Sequence, residues 1–271
     1  MIAQSYIPQP PLNKYIDVFW LYEDYTPTHV KERVLPSGTV ELVINLRDDM
    51  IRIYEPQSPE HFQQFRGCVL SGAHSEFLVI DTVCQASIIG VHFKPGGAFP
   101  FVDMPVDALT NSTVSLETLW GHAAMELRDQ LMEATTPQRR FQVLERFLLF
   151  RLADSLTLHP AVAFALQEFQ RIPHLRTMAV VAESLGFSSR RFIELFRHEV
   201  GLTPKRFCRI QRFQKVLRCI ENGGQIAWAD VAASCGYFDQ AHCINDFRAF
   251  SGLNPTTYCA QNVGHRNHVP L

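Results

Sequence analysis

At 271 residues, with 46% hydrophobic residues, 20 Phe and 19% charged residues, the chain has an ordinary folded composition and enough length for two domains of roughly 100–170 residues. It holds no uncharged apolar run of about 18 residues that could span a bilayer. Gln4, Pro8, Pro10 and Pro11 interrupt the start of the chain where a secretion signal would need a basic and then an apolar stretch, so the reading is a soluble, cytoplasmic protein. The net charge of −2 conceals an asymmetry: residues 1–157 carry 12 Lys+Arg against 19 Asp+Glu, and residues 158–271 carry 13 against 8. An acidic half precedes a basic one, and only the second suits a polyanionic partner.

From about Gln4 to Lys94, short β-branched and aromatic runs alternate with turn signals. Val40–Leu46 follows Pro36-Ser37-Gly38, and Ile88–Phe93 precedes Pro95-Gly96-Gly97; the pattern predicts a small β-barrel or sandwich, cupin-like in type. A helix is predicted from Ser115 to about Glu133, and a second begins at Pro137 with Phe141, Leu144, Leu148 and Leu152 at helical spacing. These helices flank the barrel, and the apolar breadth of the second (Phe147, Leu149, Phe150) suits either burial in its own domain or contact with a second subunit. A Ser155–Pro160 segment divides the halves. The domain reading is therefore 1–157, then 158–261, with a polar, flexible tail at 262–271. The seven cysteines (Cys68, Cys84, Cys208, Cys219, Cys235, Cys243, Cys259) form no C-x-x-C pair and are odd in number, which argues against a disulfide framework and reads as buried free thiols.

The most informative feature is an internal repeat. Val181-Ala182-Glu183-Ser184-Leu185-Gly186-Phe187 returns as Val231-Ala232-Ala233-Ser234-Cys235-Gly236-Tyr237. The pattern Phe196-Arg197, Gly201-Leu202-Thr203-Pro204 and Phe207 then returns as Phe247-Arg248, Gly252-Leu253-Asn254-Pro255 and Tyr258. Each unit has the chemistry of a helix-turn-helix: Ala182 and Ala232 allow close helix crossing, and Gly186 and Gly236 can take the positive φ of a tight turn. The units are set at 177–200 and 228–251. In the first, a helix from Ser189 to Val200 turns Phe192, Leu195, Phe196 and Val200 inward and Arg190, Arg191, Ile193, Glu194, Arg197 and His198 outward. In the second, Asp239 is the expected N-cap; Cys243, Phe247 and Phe250 point inward, and Gln240, His242, Asn245 and Arg248 outward. A long helix capped by Thr203 joins the units and reaches Asn222, with Lys205, Arg206, Arg209, Arg212, Lys215 and Arg218 expected to serve phosphate contact. The overall expectation is an α+β chain: a β domain with flanking helices, then an all-α domain of two tandem helix-turn-helix units joined by a long helix.

The doubled unit, and above all Gly236-Tyr237-Phe238-Asp239-Gln240-Ala241-His242, Asp246-Phe247-Arg248, Ser251-Gly252-Leu253-Asn254-Pro255 and Tyr258, resembles the AraC/XylS family of transcription regulators over roughly residues 160–260. Leu35-Pro36-Ser37-Gly38, Glu41–Asn45 and Gly90–Ala98 look like the sensing domain attached in many members. The resemblance implies a monomeric DNA-binding domain whose two recognition helices enter successive major grooves of double-stranded DNA. It also implies transcriptional control, often activation, through RNA polymerase, with a small-molecule effector and homodimer contacts in the N-terminal domain. Position by position, Arg190, Ile193 and Glu194 would face bases in the first unit and Gln240, His242 and Asn245 in the second. The chain departs from the family pattern at Asn245, usually basic; at Cys243, usually bulky and apolar; and at Asn254, usually Ser or Thr.

For the N-terminal half, Trp20, Glu41, His74, His92 and Lys94 are the candidate effector-binding residues. Each also has a plain alternative, Trp20 in the core, His92 as a partnered strand residue and Glu41 as a surface carboxylate. No H-x-H or H-E-x-x-H spacing is present, so no metal or cofactor is expected. The absence of G-x-S-x-G, P-loop and G-x-G-x-x-G motifs argues against an enzyme. The remaining rival is a protein-interaction module in which degenerate helix-turn-helix units pack on a partner without reading DNA.

Overall fold

The structure, a computed structural model, describes residues 2–152, 157–171, 181–183, 186–221, 226–261 and 265–271. Residues 153–156 of the expected domain boundary, 177–180, Ser184 and Leu185 of the first repeat unit, Asn222 at the expected end of the joining helix, and 262–264 of the tail lie outside the described residues.

The N-terminal part is built from two antiparallel sheets, the sandwich form of the expected architecture. Strands β1 (Ile2–Tyr6), β2 (Ile16–Glu23), β3 (Lys31–Val34), β4 (Glu41–Asn45), β5 (Ile51–Glu55), β6 (Ser58–Phe65), β7 (Cys68–Ser71), β8 (Leu78–Asp81), β9 (Ile88–Phe93), β10 (Thr113–Ser115) and β11 (His268–Pro270) make them up. One sheet runs β1-β2-β9-β4-β7-β10 and the other β11-β3-β8-β5-β6. On the first sheet the strand period of two sorts the side chains cleanly. Phe19, Leu21, Leu42, Ile44, Ile89 and Val91 pack into a core with Leu116, Trp120, Leu127, Leu131, Phe141, Leu144 and Leu148, while Trp20, Tyr22, Glu41, Val43 and His92 turn to the other face. Gly90 is required there: a Cβ on it would lie 2.2 Å from the Trp20 ring, so the bare backbone lets the indole cross the strand.

The flanking helices are α1 (Leu116–Trp120), α2 (His122–Glu133) and α3 (Pro137–Leu152). The single helix expected from Ser115 to Glu133 is two. Ser115 caps the first, accepting from the Glu117 amide, and Gly121, at φ 59°, ψ −140°, ends it and restarts the chain at a new angle. That backbone state is open to glycine at little cost.

The helical part comprises α4 (Pro160–Arg171), α5 (Ser189–Val200), α6 (Pro204–Ile220), α7 (Trp228–Ser234), α8 (Gln240–Ser251) and α9 (Pro255–Gln261), with residues 181–183 also helical. Its core gathers Val162, Phe169, Phe192, Phe196, Phe207, Phe213, Phe247, Phe250 and Tyr258, together with Leu35, Ala73 and Val269 from the sandwich side.

The expected flexible tail is corrected over residues 265–271. β11 pairs antiparallel with β3, setting His268 opposite Val34 and Pro270 opposite Glu32. Val269 is fully buried, and the amides of Leu35 and Leu271 donate to the carbonyls of Asn267 and Lys31. A single apolar residue among polar neighbours is too short a signal for a strand, yet β3 has a free edge that it satisfies.

Candidate nucleic-acid interface

Among the described residues, the turn glycines and the second helix of each repeat unit take the same local form. Gly186 and Gly236 adopt φ 72° and 81°, and in each unit the amide after the glycine returns to the alanine carbonyl, Phe187 to Ala182 and Tyr237 to Ala232, both at 2.9 Å. α5 begins at Ser188, whose hydroxyl accepts from the Arg191 amide, and ends at Gly201 in the left-handed region. α8 begins at Asp239, whose carboxylate accepts from the His242 amide at 2.7 Å, and ends at Gly252, also left-handed. Both helices open on a side-chain N-cap and close on a left-handed glycine, with Phe196 and Phe247 at equivalent buried positions.

Their outward faces differ in how freely each candidate is presented. On α5, Arg190, Arg191 and Glu194 are exposed and Ile193 is half-buried. Arg190 donates to Glu194 one turn on, at 3.0 Å. Arg197 is exposed but already engaged: its guanidinium lies 3.0 Å from Asp107, in the short turn of 3-10 helix Val106–Leu109 of the N-terminal part. On α8, Gln240 and Asn245 are exposed, His242 is half-buried edge-on to Tyr237, and Arg248 donates to Asn254 at 2.9 Å. Cys243 is buried, and burial pushes its thiol up to about 11.

Two features escaped the sequence reading. Phe238, one residue before the Asp239 cap, is 93% exposed at the leading end of α8, where a recognition helix meets base edges. The second is Asp246, on the inward side of α8, which takes Arg209 of α6 at 2.5 Å with Arg212 at 3.9 Å. Arg212 also stacks over the Tyr237 ring at 5.0 Å, and Lys215 donates to the Ser234 carbonyl at 2.5 Å. Three cations expected to meet phosphate therefore fasten the second unit to the joining helix. The outward face of an amphipathic helix looks the same in sequence whether it meets water, DNA or a neighbouring unit.

Of the N-terminal candidates, Trp20, Glu41 and His92 come together. Glu41 and His92 stand opposite each other in the sheet register. The Trp20 indole donates to Glu41 Oε1 at 3.1 Å, and His92 Nδ1 lies 3.5 Å from the same oxygen. Glu41 is thus a shared acceptor rather than a surface carboxylate. Its burial opposes ionisation, but the hydrogen bond and charge of His92, the charge of His268 and the Trp20 bond outweigh it and hold the carboxyl below its usual range. For His92 burial likewise works against the charge, and Glu41 raises the imidazole above its usual value. From the second sheet Glu32, almost fully buried, accepts from His268 at 2.7 Å and from His29 at 3.1 Å. Burial and the charges of Glu41 and Glu32 together raise the Tyr22 hydroxyl. Glu32, Tyr22 and His268 therefore join the cluster, although His268 is distant in sequence and lay in the supposed tail. His74 and Lys94 do not join it. His74 bonds Ser71 at 3.0 Å with its pKa driven to about 4 by burial, and Lys94 donates to the Asn13 carbonyl at 2.6 Å.

The described residues contain no group of three or more His, Cys, Asp or Glu placed to hold a metal, and no helix long and apolar enough to cross a membrane. Residues 181–261 match a family described as a helix-turn-helix domain, and residues 4–115 match a family described as a domain of unknown function (DUF6597). A curated relative from Haemophilus influenzae, described as an uncharacterized HTH-type transcriptional regulator, is 29% identical over 116 residues, which cover 43% of this chain and 37% of the relative. The chain thus spans little over a third of that relative's length. Among solved structures, an apo form of ToxT from Vibrio cholerae is 10% identical at TM-score 0.48, covering 89% of this chain and 97% of that one. The DNA-binding domain of AdpA, solved with a target DNA, is 21% identical at TM-score 0.34, covering 38% and 92%. Residues 181–261 thus carry the matched helix-turn-helix domain, in which α5 and α8 each open on a side-chain cap and close on a left-handed glycine.

Proposed function

We propose that the chain is a sequence-specific DNA-binding transcription regulator in which α5 and α8 read successive major grooves and the N-terminal sandwich receives an effector. The observation that carries this reading is the doubled unit with both outward faces presented to solvent: Arg190, Arg191 and Glu194 on one helix, Gln240, Asn245 and Arg248 on the other. Arg190 suits guanine, Gln240 and Asn245 suit adenine, and Glu194 accepts from cytosine, while Arg248 suits phosphate. Ile193 and Phe238 offer apolar surface to thymine methyl groups, and His242 and Arg197 complete the two faces. Arg197 reaches DNA only by leaving Asp107, so DNA binding and the contact between the two parts draw on the same side chain. Control of transcription would run through contact with RNA polymerase. The effector site is the cluster of Trp20, Glu41 and His92 with Glu32 and Tyr22. The exposed Phe150 and Leu149 on α3 supply a surface for a second copy.

Selection from a random duplex pool with the full-length protein tests the DNA-reading claim. It is expected to enrich two short elements whose centres lie about 10 base pairs apart, with a steep fall of affinity with salt on specific and scrambled duplexes alike. Absence of enrichment at low salt, with weak and equal binding to all duplexes, would overturn it in favour of a protein-interaction module.

A further inference from the structure

We propose that Cys219 and Cys235 are a modification site at which hydroperoxides form a reversible disulfide, at the joint between α6 and the second helix-turn-helix unit. Cys219 is exposed near the end of α6, Cys235 is fully buried directly after α7, and their sulfurs lie 3.8 Å apart. A disulfide needs about 2.05 Å, so the sulfurs must close by about 2 Å, a movement that the exposed Cys219 side chain can supply by changing rotamer. The repeat makes the position telling. Cys235 stands where the first unit has Leu185 in the sequence repeat, so the second unit carries a sulfur at a position where the first has an apolar residue type.

The exposures divide the roles. Cys219, as thiolate, attacks one oxygen of hydrogen peroxide; the O–O bond breaks, and the departing hydroxide takes a proton to become water. Cys219 is left as a sulfenic acid. The Cys235 sulfur then attacks the Cys219 sulfur, the S–O bond breaks, and the hydroxyl leaves with the Cys235 proton as a second water. Two thiols lose two electrons in all, and one peroxide is reduced to two waters. Burial and the neighbouring Cys219 push the Cys235 thiol up to about 12, while Lys215 beside it pulls the other way. Cys235 is thus the resolving sulfur and Cys219 the one that meets oxidant. The bond would close the chain between residues 219 and 235, tightening the attachment of the second unit. The exposed Gln240, Asn245 and Arg248 stay untouched.

This inference does not depend on DNA binding, and its test needs none. Reduced full-length protein treated with stoichiometric hydrogen peroxide is expected to lose two of its seven thiols. A non-reducing peptide map should join Cys219 to Cys235, the melting temperature should rise, and dithiothreitol should reverse all three. In Cys235→Ser the reaction should stop at a Cys219 sulfenic acid that dimedone traps, and in Cys219→Ser the Cys235 thiol should survive. Seven persisting thiols in folded protein, a Cys219–Cys219 link between chains, or Cys219 advancing to sulfinic acid in the unmutated protein would each overturn it.

Discussion

Single side chains in this protein hold partners that set measurable constants. Glu41 and His92 stabilise each other's charged forms, so each should titrate differently in folded and unfolded chains. His92, raised above its usual value of about 6.5, contributes stability in full below that value and loses it as pH rises through the folded pKa. Glu41, lowered, contributes above about 4.5 and loses its share as pH falls through its folded pKa. The pair is strongest between those limits, where both groups are charged. An NMR titration should give His92 a midpoint above 6.5 that drops in Glu41→Gln, and an unchanged midpoint would refute the pairing. In the helical part, Asp246→Asn should cost about 3 kcal/mol in urea unfolding, because Arg209 and Arg212 would face a neutral partner from partly buried positions. On the proposed DNA-reading face of α8, Gln240→Ala should relax preference at one base position by about 1–3 kcal/mol. Arg248→Ala should weaken all duplexes alike and lower the salt slope by about 1. If Arg248→Ala altered base preference instead, these two roles would need exchanging.

At the level of elements, α5 serves two neighbours. Its leading end carries the exposed Arg190 and Arg191, while its trailing end rests on the Val106–Leu109 turn, where Thr110 donates to the Gly201 carbonyl and Arg197 pairs with Asp107. Gly201 sits at φ 86°, and a Cβ there would lie 3.1 Å from Val106. Gly201→Ala should therefore lower stability by about 1–2 kcal/mol for the left-handed backbone alone, read by thermal unfolding. Asp107→Asn is the sharper probe of shared use. The pair is half-exposed and worth less than about 1 kcal/mol, so freeing Arg197 should raise DNA affinity of the full-length protein by up to about fivefold. A loss of affinity would show that Asp107 holds α5 in its binding posture. The existence of α5 and α8 and the Asp239 cap were legible in sequence from the apolar stripe and the cap residue type, whereas the Ser188 cap and the left-handed ends at Gly201 and Gly252 come from the structure. The break at Gly121 was not legible either, since a glycine within a helical pattern is often tolerated and nothing local says that its φ will turn positive.

Across the whole molecule the two parts are fastened by pairings that sequence spacing does not reveal. Gln214 donates to the Pro36 carbonyl at 2.8 Å and Gln211 to that of Ser37 at 3.2 Å, so the Pro36-Ser37-Gly38 segment that reads as an ordinary turn signal is also where the joining helix docks. The fold class was legible because periodicity is local; the docking was not, because a polar glutamine on a helix carries no mark of its distant acceptor. The closing strand is the largest such surprise. Removing residues 265–271 should cost about 3 kcal/mol through Val269 burial and lost strand bonds, measured by urea unfolding, whereas a frayed tail would leave the midpoint unmoved. That strand also has a consequence for how the protein is made. The edge of β3 is completed by residues that leave the ribosome after helices α4–α9. While synthesis proceeds from the N-terminus, the nascent sandwich carries an uncovered strand edge of the kind that recruits other chains. The sandwich reaches its finished form only when residues 268–270 return to it, so in the newborn protein completion of that sheet reports that helices α4–α9 have been translated.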